Sequence, residues 1–128
     1  MKEKLKFMKI AYKLAKKAYD NGEVPIGAVI VKDGKIISKA YNKRNLKRSA
    51  IAHAEILAIE KACKKFNDWR LDDCEMYVTL EPCPMCAWAI INVAVIIDKN
   101  GYESMGLSEG FPIPNGKFED IKNKFNTL

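Results

Sequence analysis

The chain has 128 residues, 48% of them hydrophobic, and carries 22 Lys and Arg against 16 Asp and Glu, for a formal net charge of +6. That length and apolar content predict one compact domain with a core of its own, residues 1–128, and no second domain. No apolar run approaches the roughly 20 residues of a membrane span, and the lysine-rich start lacks the apolar stretch of a secretion signal, so the expectation is a cytoplasmic protein without a membrane partner.

In chain order, Leu5, Met8, Tyr12, Ala15 and Tyr19 recur at helical spacing, with Phe7, Ala11, Leu14 and Ala18 beside them, and predict a broad-faced amphipathic helix over residues 3–20. Asn21-Gly22 ends it. The run from Val24 to Val31 is apolar on both faces and predicts a central strand covered on both sides. Asp33-Gly34 predicts a hairpin turn into a second strand over 36–42, followed by a polar loop from Asn42 to Ser49. Residues 52–66 read as a helix packing through Ile56, Leu57, Ile59, Ala62, Cys63 and Phe66. A third strand is expected over 75–80, a helix from about Pro84, where proline is tolerated in the first turn, and a fourth strand over 93–97. Beyond Asp98 a loop with a short strand near Phe111 and a closing helix over 117–126 are expected. This order describes a layered α/β/α domain on a mixed central sheet.

Two short segments carry the chemistry: His53-Ala54-Glu55 and Pro82-Cys83-Pro84-Met85-Cys86. His53 is the chain's one histidine, and the close spacing of Cys83 and Cys86 lets two thiolates grip one metal. Three protein ligands leave a tetrahedral zinc with one open position, the mark of a catalytic site. Cys63 would close the site, but it lies roughly 15 Å up the helix from His53 at 1.5 Å per residue. Cys74 is also distant, at the far end of a strand roughly 20 Å long. Both read as packing residues, and a single Zn2+ per chain suits a reducing compartment better than two disulfides.

Cys83 and Cys86 fall about 60° apart around a helix, so their sulfurs face one way. His53 and Glu55 fall about 200° apart on the same wheel and converge only if the metal sits off the helix's N-terminal end. The inference is two helix N-termini aimed at one zinc, with Glu55 left unligated to act as a proton shuttle on water at the open position. Taken singly these residues have plainer roles, as a cap, a redox pair and a surface carboxylate; jointly they point to a hydrolytic metal site.

His-Ala-Glu followed by Pro-Cys-x-x-Cys is the zinc deaminase signature. The segments Gly22-Glu23-Val24-Pro25-Ile26-Gly27-Ala28-Val29, Asn42, Ala52-His53-Ala54-Glu55-Ile56 and Tyr77 through Ala87 resemble the bacterial tRNA-specific adenosine deaminase family. The resemblance runs from about residue 5 to residue 92. It implies a cytidine deaminase-like three-layer fold, conversion of wobble adenosine to inosine in tRNA or in single-stranded nucleic acid, and a homodimer. It places Glu55 as the catalytic residue and His53, Cys83 and Cys86 as metal ligands. Asn42 would contact the target ribose, Val24, Ile26 and Leu80 would wall the base, and Ala54, Lys43 and Arg44 would join the substrate contacts. The loop from Lys43 to Arg48 would lie along the RNA backbone.

Net basicity also favours a polyanionic partner, although nearly all the basic residues are lysine, as an AT-rich genome alone would produce. Beyond Asn92 the chain departs from the family pattern, with Val93-Ala94-Val95-Ile96-Ile97-Asp98 where the family continues with Ser-Arg and a strand. Trp88 stands where the family has a small residue, and is expected to point away from the metal into the core or a subunit interface. The alternatives are a deaminase of cytosine or of free nucleosides and nucleobases, and a zinc-binding scaffold without turnover.

Overall fold

A computed structural model describes residues 2–80 and 82–97. The elements expected beyond Asp98 lie outside the described residues.

Helix α1 (Lys2–Asp20) leads into the hairpin β1 (Gly27–Lys32) and β2 (Lys35–Tyr41). A short helix α2 (Arg44–Lys47), then α3 (Ala54–Phe66), β3 (Glu75–Val78), α4 (Pro84–Val93) and β4 (Ile96–Ile97) follow. The sheet order is β2-β1-β3-β4. β1 pairs antiparallel with β2 and β3, and β3 pairs parallel with β4, which makes the sheet mixed. Helix α1 packs on β1, β2 and β3, while α3 packs on β1 and β2 and meets α4.

The two-faced apolar run is the reason β1 lies inside the sheet. Ala28, Val29, Ile30 and Val31 are all buried, one face under α1 and the other under α3. Asp33 and Gly34 both have positive φ, 52° and 74°, as the two central residues of a tight hairpin require. The strand is shorter than its apolar run. Pro25 has no N–H to give a ladder, and the Ile26 amide instead closes a tight turn onto the Val24 carbonyl at 2.8 Å. Val24 is consequently exposed.

The buried stripe of α1 is narrower than its periodicity suggests. Phe7, Met8, Ala11, Ala15 and Ala18 are buried, whereas Tyr12 and Tyr19 face out. The cause is close approach: a Cβ on Gly27 would collide with the Ala11 carbonyl oxygen and come within 2.7 Å of the Ala15 amide and Leu14 Cβ. Small residues on α1 and a glycine on β1 let the two backbones meet.

Three further elements differ from expectation. The loop after Asn42 contains α2, and the second zinc-bearing helix runs on to Val93, so the fourth strand shrinks to Ile96–Ile97. Ala94 ends that helix in the left-handed region at φ 63°, its amide returning to Ile91. Trp88 is 46% exposed and does not pack in the core, because the buried face of α4 is made by Cys86, Ala87, Ile90 and Val93. No helix among the described residues is long and apolar enough to cross a membrane.

Candidate active site

The site forms where α3 and α4 begin. His53 is the residue immediately before α3 and Cys83 the residue immediately before α4, both with extended backbone, at ψ 151° and 168°. This explains how His53 and Glu55 converge. His53 is not on the helical wheel at all, so the angle expected between them does not apply. Neither side chain makes the short oxygen cap bond that a capping residue ordinarily supplies; at α4 the Met85 and Cys86 amides meet a sulfur instead. Serine, threonine, aspartate or asparagine would serve that purpose better, so these two positions give up capping for metal ligation.

His53 Nδ1 lies 3.7 Å from Cys83 Sγ and 3.5 Å from Cys86 Sγ. The three ligand atoms all fall within 4.8 Å of one another. Zn–S bonds near 2.3 Å and Zn–N bonds near 2.0–2.1 Å at a tetrahedral angle would set each N···S separation at about 3.6 Å. The donor set therefore fits one zinc ion, and no fourth His, Cys, Asp or Glu joins the group among the described residues. Cys74 is buried away from it, and Cys63 turns its thiol toward the Trp69 carbonyl, 3.7 Å away.

The two thiols lie close enough to act on each other. A hydrogen bond from Cys86 holds Cys83 down to about 5, against the effect of burial and helped by backbone amides of Cys86 and Met85 and by His53. Donating that bond, together with burial, holds Cys86 up. Loading a metal displaces the remaining proton, so affinity falls as pH falls. Burial likewise pushes the Glu55 carboxyl up to about 7, opposed by a hydrogen bond from its own backbone amide and reinforced by the Cys83 charge. Glu55 is only 2% exposed, and its Oε1 has no hydrogen-bond partner among the described residues. A buried carboxylate oxygen left open is costly unless something else fills the place.

Asn42 presents the second such atom: it is buried, and its Oδ1 is also without a partner. The Asn42 backbone amide donates to the Ile26 carbonyl at 3.0 Å, and the Lys43 backbone amide donates to the Ala52 carbonyl at 2.9 Å. These bonds tie the end of β2 to the chain entering α3. Ala54 is buried, Ile26, Leu80 and Lys43 are half-buried, and Arg44 is exposed.

Residues without a role in the motif hold this arrangement. The Glu23 carboxylate accepts from the Asn45 amide at 3.0 Å and from the Leu46 amide at 2.8 Å, capping α2 from a neighbouring segment. Thr79 and Gly27 exchange two bonds, the Gly27 amide to Thr79 Oγ1 at 3.2 Å and the Thr79 amide to the Gly27 carbonyl at 3.1 Å. A charged residue inside an otherwise apolar turn, Gly22-Glu23-Val24-Pro25, is the signal by which Glu23 is recognisable in sequence.

Sheet order, paired helix starts and donor set together define the zinc-binding fold of the cytidine deaminase class. The chain belongs to the family described as the cytidine and deoxycytidylate deaminase zinc-binding region, whose model matches residues 1–99. It is 56% identical over 85 residues to the tRNA-specific adenosine deaminase of Bacillus subtilis (strain 168), covering 66% of this chain and 53% of that protein. It is 53% identical over 85 residues to the tRNA-specific adenosine deaminase of Aquifex aeolicus (strain VF5), covering 66% and 56%. The chain thus spans about half the length of the curated relatives it matches.

Among solved structures, one from a study of A-to-I editing by tRNA:A34 deaminases aligns with a TM-score of 0.69 at 40% identity, over 74% of this chain and 78% of that one. Guanine deaminase from Bacillus subtilis aligns at 0.68 with 39% identity, over 81% and 70%. The resemblance read from the motifs is one of homology to the bacterial tRNA-specific adenosine deaminases.

Proposed function

We propose that the protein is a zinc-dependent hydrolytic deaminase that converts adenosine to inosine in tRNA, at the wobble position, or in a single-stranded nucleic acid. The observation that carries this reading is Glu55: a buried, unligated carboxylate with an open oxygen, two residues from one member of a three-ligand metal group. A purely structural metal site has no use for it.

His53, Cys83 and Cys86 would hold zinc, which would supply a Lewis acid that lowers the pKa of water toward about 7. Glu55 accepts one proton as water attacks C6 of adenine and passes it to N1; it then takes the second from the hydroxyl added at C6 and delivers it to the amine, which departs as the C6 carbonyl forms. One C–O bond forms, one C–N bond breaks, and the products are inosine and ammonia. Asn42 Oδ1 accepts a hydrogen bond from the ribose of the target nucleoside. Val24, Ile26 and Leu80 wall the base, Ala54 lies against it, and Lys43 and Arg44 stand at the mouth. The target has to be unpaired or flipped out of its stack to enter. The exposed apolar side chains of Leu46, Ile51 and Trp88 support a homodimer that covers them, and the reduced thiols support a cytoplasmic location.

A second reading, deamination of a free nucleobase, is favoured by the likeness to guanine deaminase. Incubating the zinc-loaded protein with an anticodon hairpin, a single-stranded DNA, adenosine, cytidine and guanine separates the two. Adenosine in the hairpin read as guanosine after sequencing is the expected result. Conversion of guanine alone would replace this reading with the second. Glu55→Ala is expected to abolish turnover while one zinc per chain remains bound; undiminished turnover in that variant would refute the role of Glu55.

A further inference from the structure

The outer edge of the sheet gathers positive charge next to Asn42. β2 is one of the two edge strands among the described residues, and Tyr41, immediately before Asn42, carries two ammonium groups over its ring. Lys17 of α1 stands 5.5 Å from the ring centroid and Lys43 stands 4.7 Å from it. Around the edge, Lys61 of α3 donates its ammonium to the Lys39 carbonyl at 2.8 Å. Partial burial and the like charges of Lys43, Lys47 and Lys39 lower the Lys61 pKa, so each of those three acts on Lys61. None of them has an acidic partner among the described residues.

Three aspartates lie at the other end of the sheet. Asp33, Asp72 and Asp73 are all close enough to Cys74 to act on its thiol, at the hairpin end of the sheet, and Arg70 pairs with Asp72 there at 2.9 Å. The acid beside the cationic loop, Glu23, has both carboxylate oxygens engaged by the Asn45 and Leu46 amides, so the ammonium groups along the β2 edge are left unpaired by it. Mutually repelling cations held together without counter-ions store electrostatic free energy that a polyanion releases.

We infer that the β2 edge, running from Lys17 and Tyr41 past Lys43 to Lys39 and Lys61, is a track for the phosphate backbone of the polynucleotide whose target nucleoside enters beside Asn42. The inference rests on the polynucleotide reading above and extends it to residues outside the cleft. Side-chain alternation makes the arrangement possible. Asn42 turns inward while Tyr41 and Lys43 flank it, so the chain leaving the pocket meets cations at once. The Tyr41 ring, held between two ammonium groups, offers a flat face beside them.

Edge lysines have a second use, since they discourage strand-to-strand aggregation, and the test separates the two. The zinc-loaded wild type and a Lys17→Gln/Lys39→Gln/Lys61→Gln variant are titrated against a fluorescein-labelled RNA anticodon hairpin, with anisotropy read from 50 to 200 mM salt. None of the three residues belongs to the catalytic site. Three lost phosphate contacts are expected to make the slope of log affinity against log salt shallower by about 2, at roughly 0.7 per contact on single strands. Affinity at 100 mM salt should fall at least tenfold, and the corresponding Lys→Arg variant should restore both.

An unchanged slope in the glutamine variant, or a wild-type slope near zero, overturns the track. Conversion of the hairpin with an unchanged slope would remove the track and leave deamination standing. A hairpin bound with the expected slope but not converted would do the reverse. If the triple variant aggregates, Lys39→Gln and Lys61→Gln are measured singly, each expected to reduce the slope by about 0.7; no change in either overturns the proposal.

Discussion

The Glu23 carboxylate and the Leu46 amide, 23 residues apart in sequence, meet at 2.8 Å. With the Asn45 amide on its other oxygen, Glu23 starts α2 from outside and ties the turn before β1 to the loop after β2. Glu23→Ala leaves two amides without their acceptor, and a loss of about 1–3 kcal/mol is expected. The substrate Michaelis constant should rise more than the turnover number falls, because the loop holds Lys43 and Arg44 and not the metal. Glu23→Gln keeps one acceptor and should recover part of both, as measured by denaturant unfolding and steady-state kinetics.

Gly27→Ala should be among the most damaging single substitutions in the sheet. The added methyl would strike the backbone of α1 at Ala11 and Ala15, and backbone has nowhere to yield. A cost at or above the upper end of the roughly 1–3 kcal/mol typical of overpacking is expected. Ala28→Gly, one residue on, should cost about 1–2 kcal/mol, from chain entropy and the loss of one buried methyl. Chemical denaturation of the two variants ranks them.

Replacing Cys83 gives an outcome that depends on whether metal is present. Cys83→Ser and Cys83→Ala should both lose zinc and activity. In chelator-treated protein, however, the serine hydroxyl can take over the first-turn amides of α4 that now act on the Cys83 sulfur, whereas alanine offers them nothing, so the serine variant should be more stable than the alanine one by about 1 kcal/mol. Equal unfolding midpoints without metal would show that the first turn of α4 gains nothing from a cap.

Asn42→Ala should trade function for stability. The side chain's buried Oδ1 is unpartnered in the free protein, so removing it is expected to cost nothing or to stabilise by up to about 1 kcal/mol. Substrate affinity should fall by at least tenfold if that oxygen awaits the ribose. A variant that melts lower and binds normally would reassign Asn42 to packing.

What was legible in the sequence was mostly local. The apolar run before Asp33-Gly34 marks an interior strand and its turn, Pro84 marks a helix start, and the spacing of His53, Cys83 and Cys86 marks their meeting. The helical wheel misleads at His53, because the residue before a helix does not obey the helix's angles. Tyr12 and Tyr19 fit the period of α1 yet face out, and Val24 looks like strand and is not. In each case the deciding contact is distant or concerns backbone: Gly27 drawing α1 close, and Pro25 withholding an amide. Helix α2 is four residues long and owes its start to a carboxylate from another segment, so nothing within its own sequence announces it.

One imidazole serves the whole chain, and it stands among the metal ligands. In a proton NMR spectrum recorded in D2O, where the amide signals are exchanged away, the Hε1 of His53 is therefore the chain's one imidazole Hε1 resonance. Metal loading, loss and exchange can be followed from that one resonance, without isotopic labelling of any other residue and without waiting for turnover.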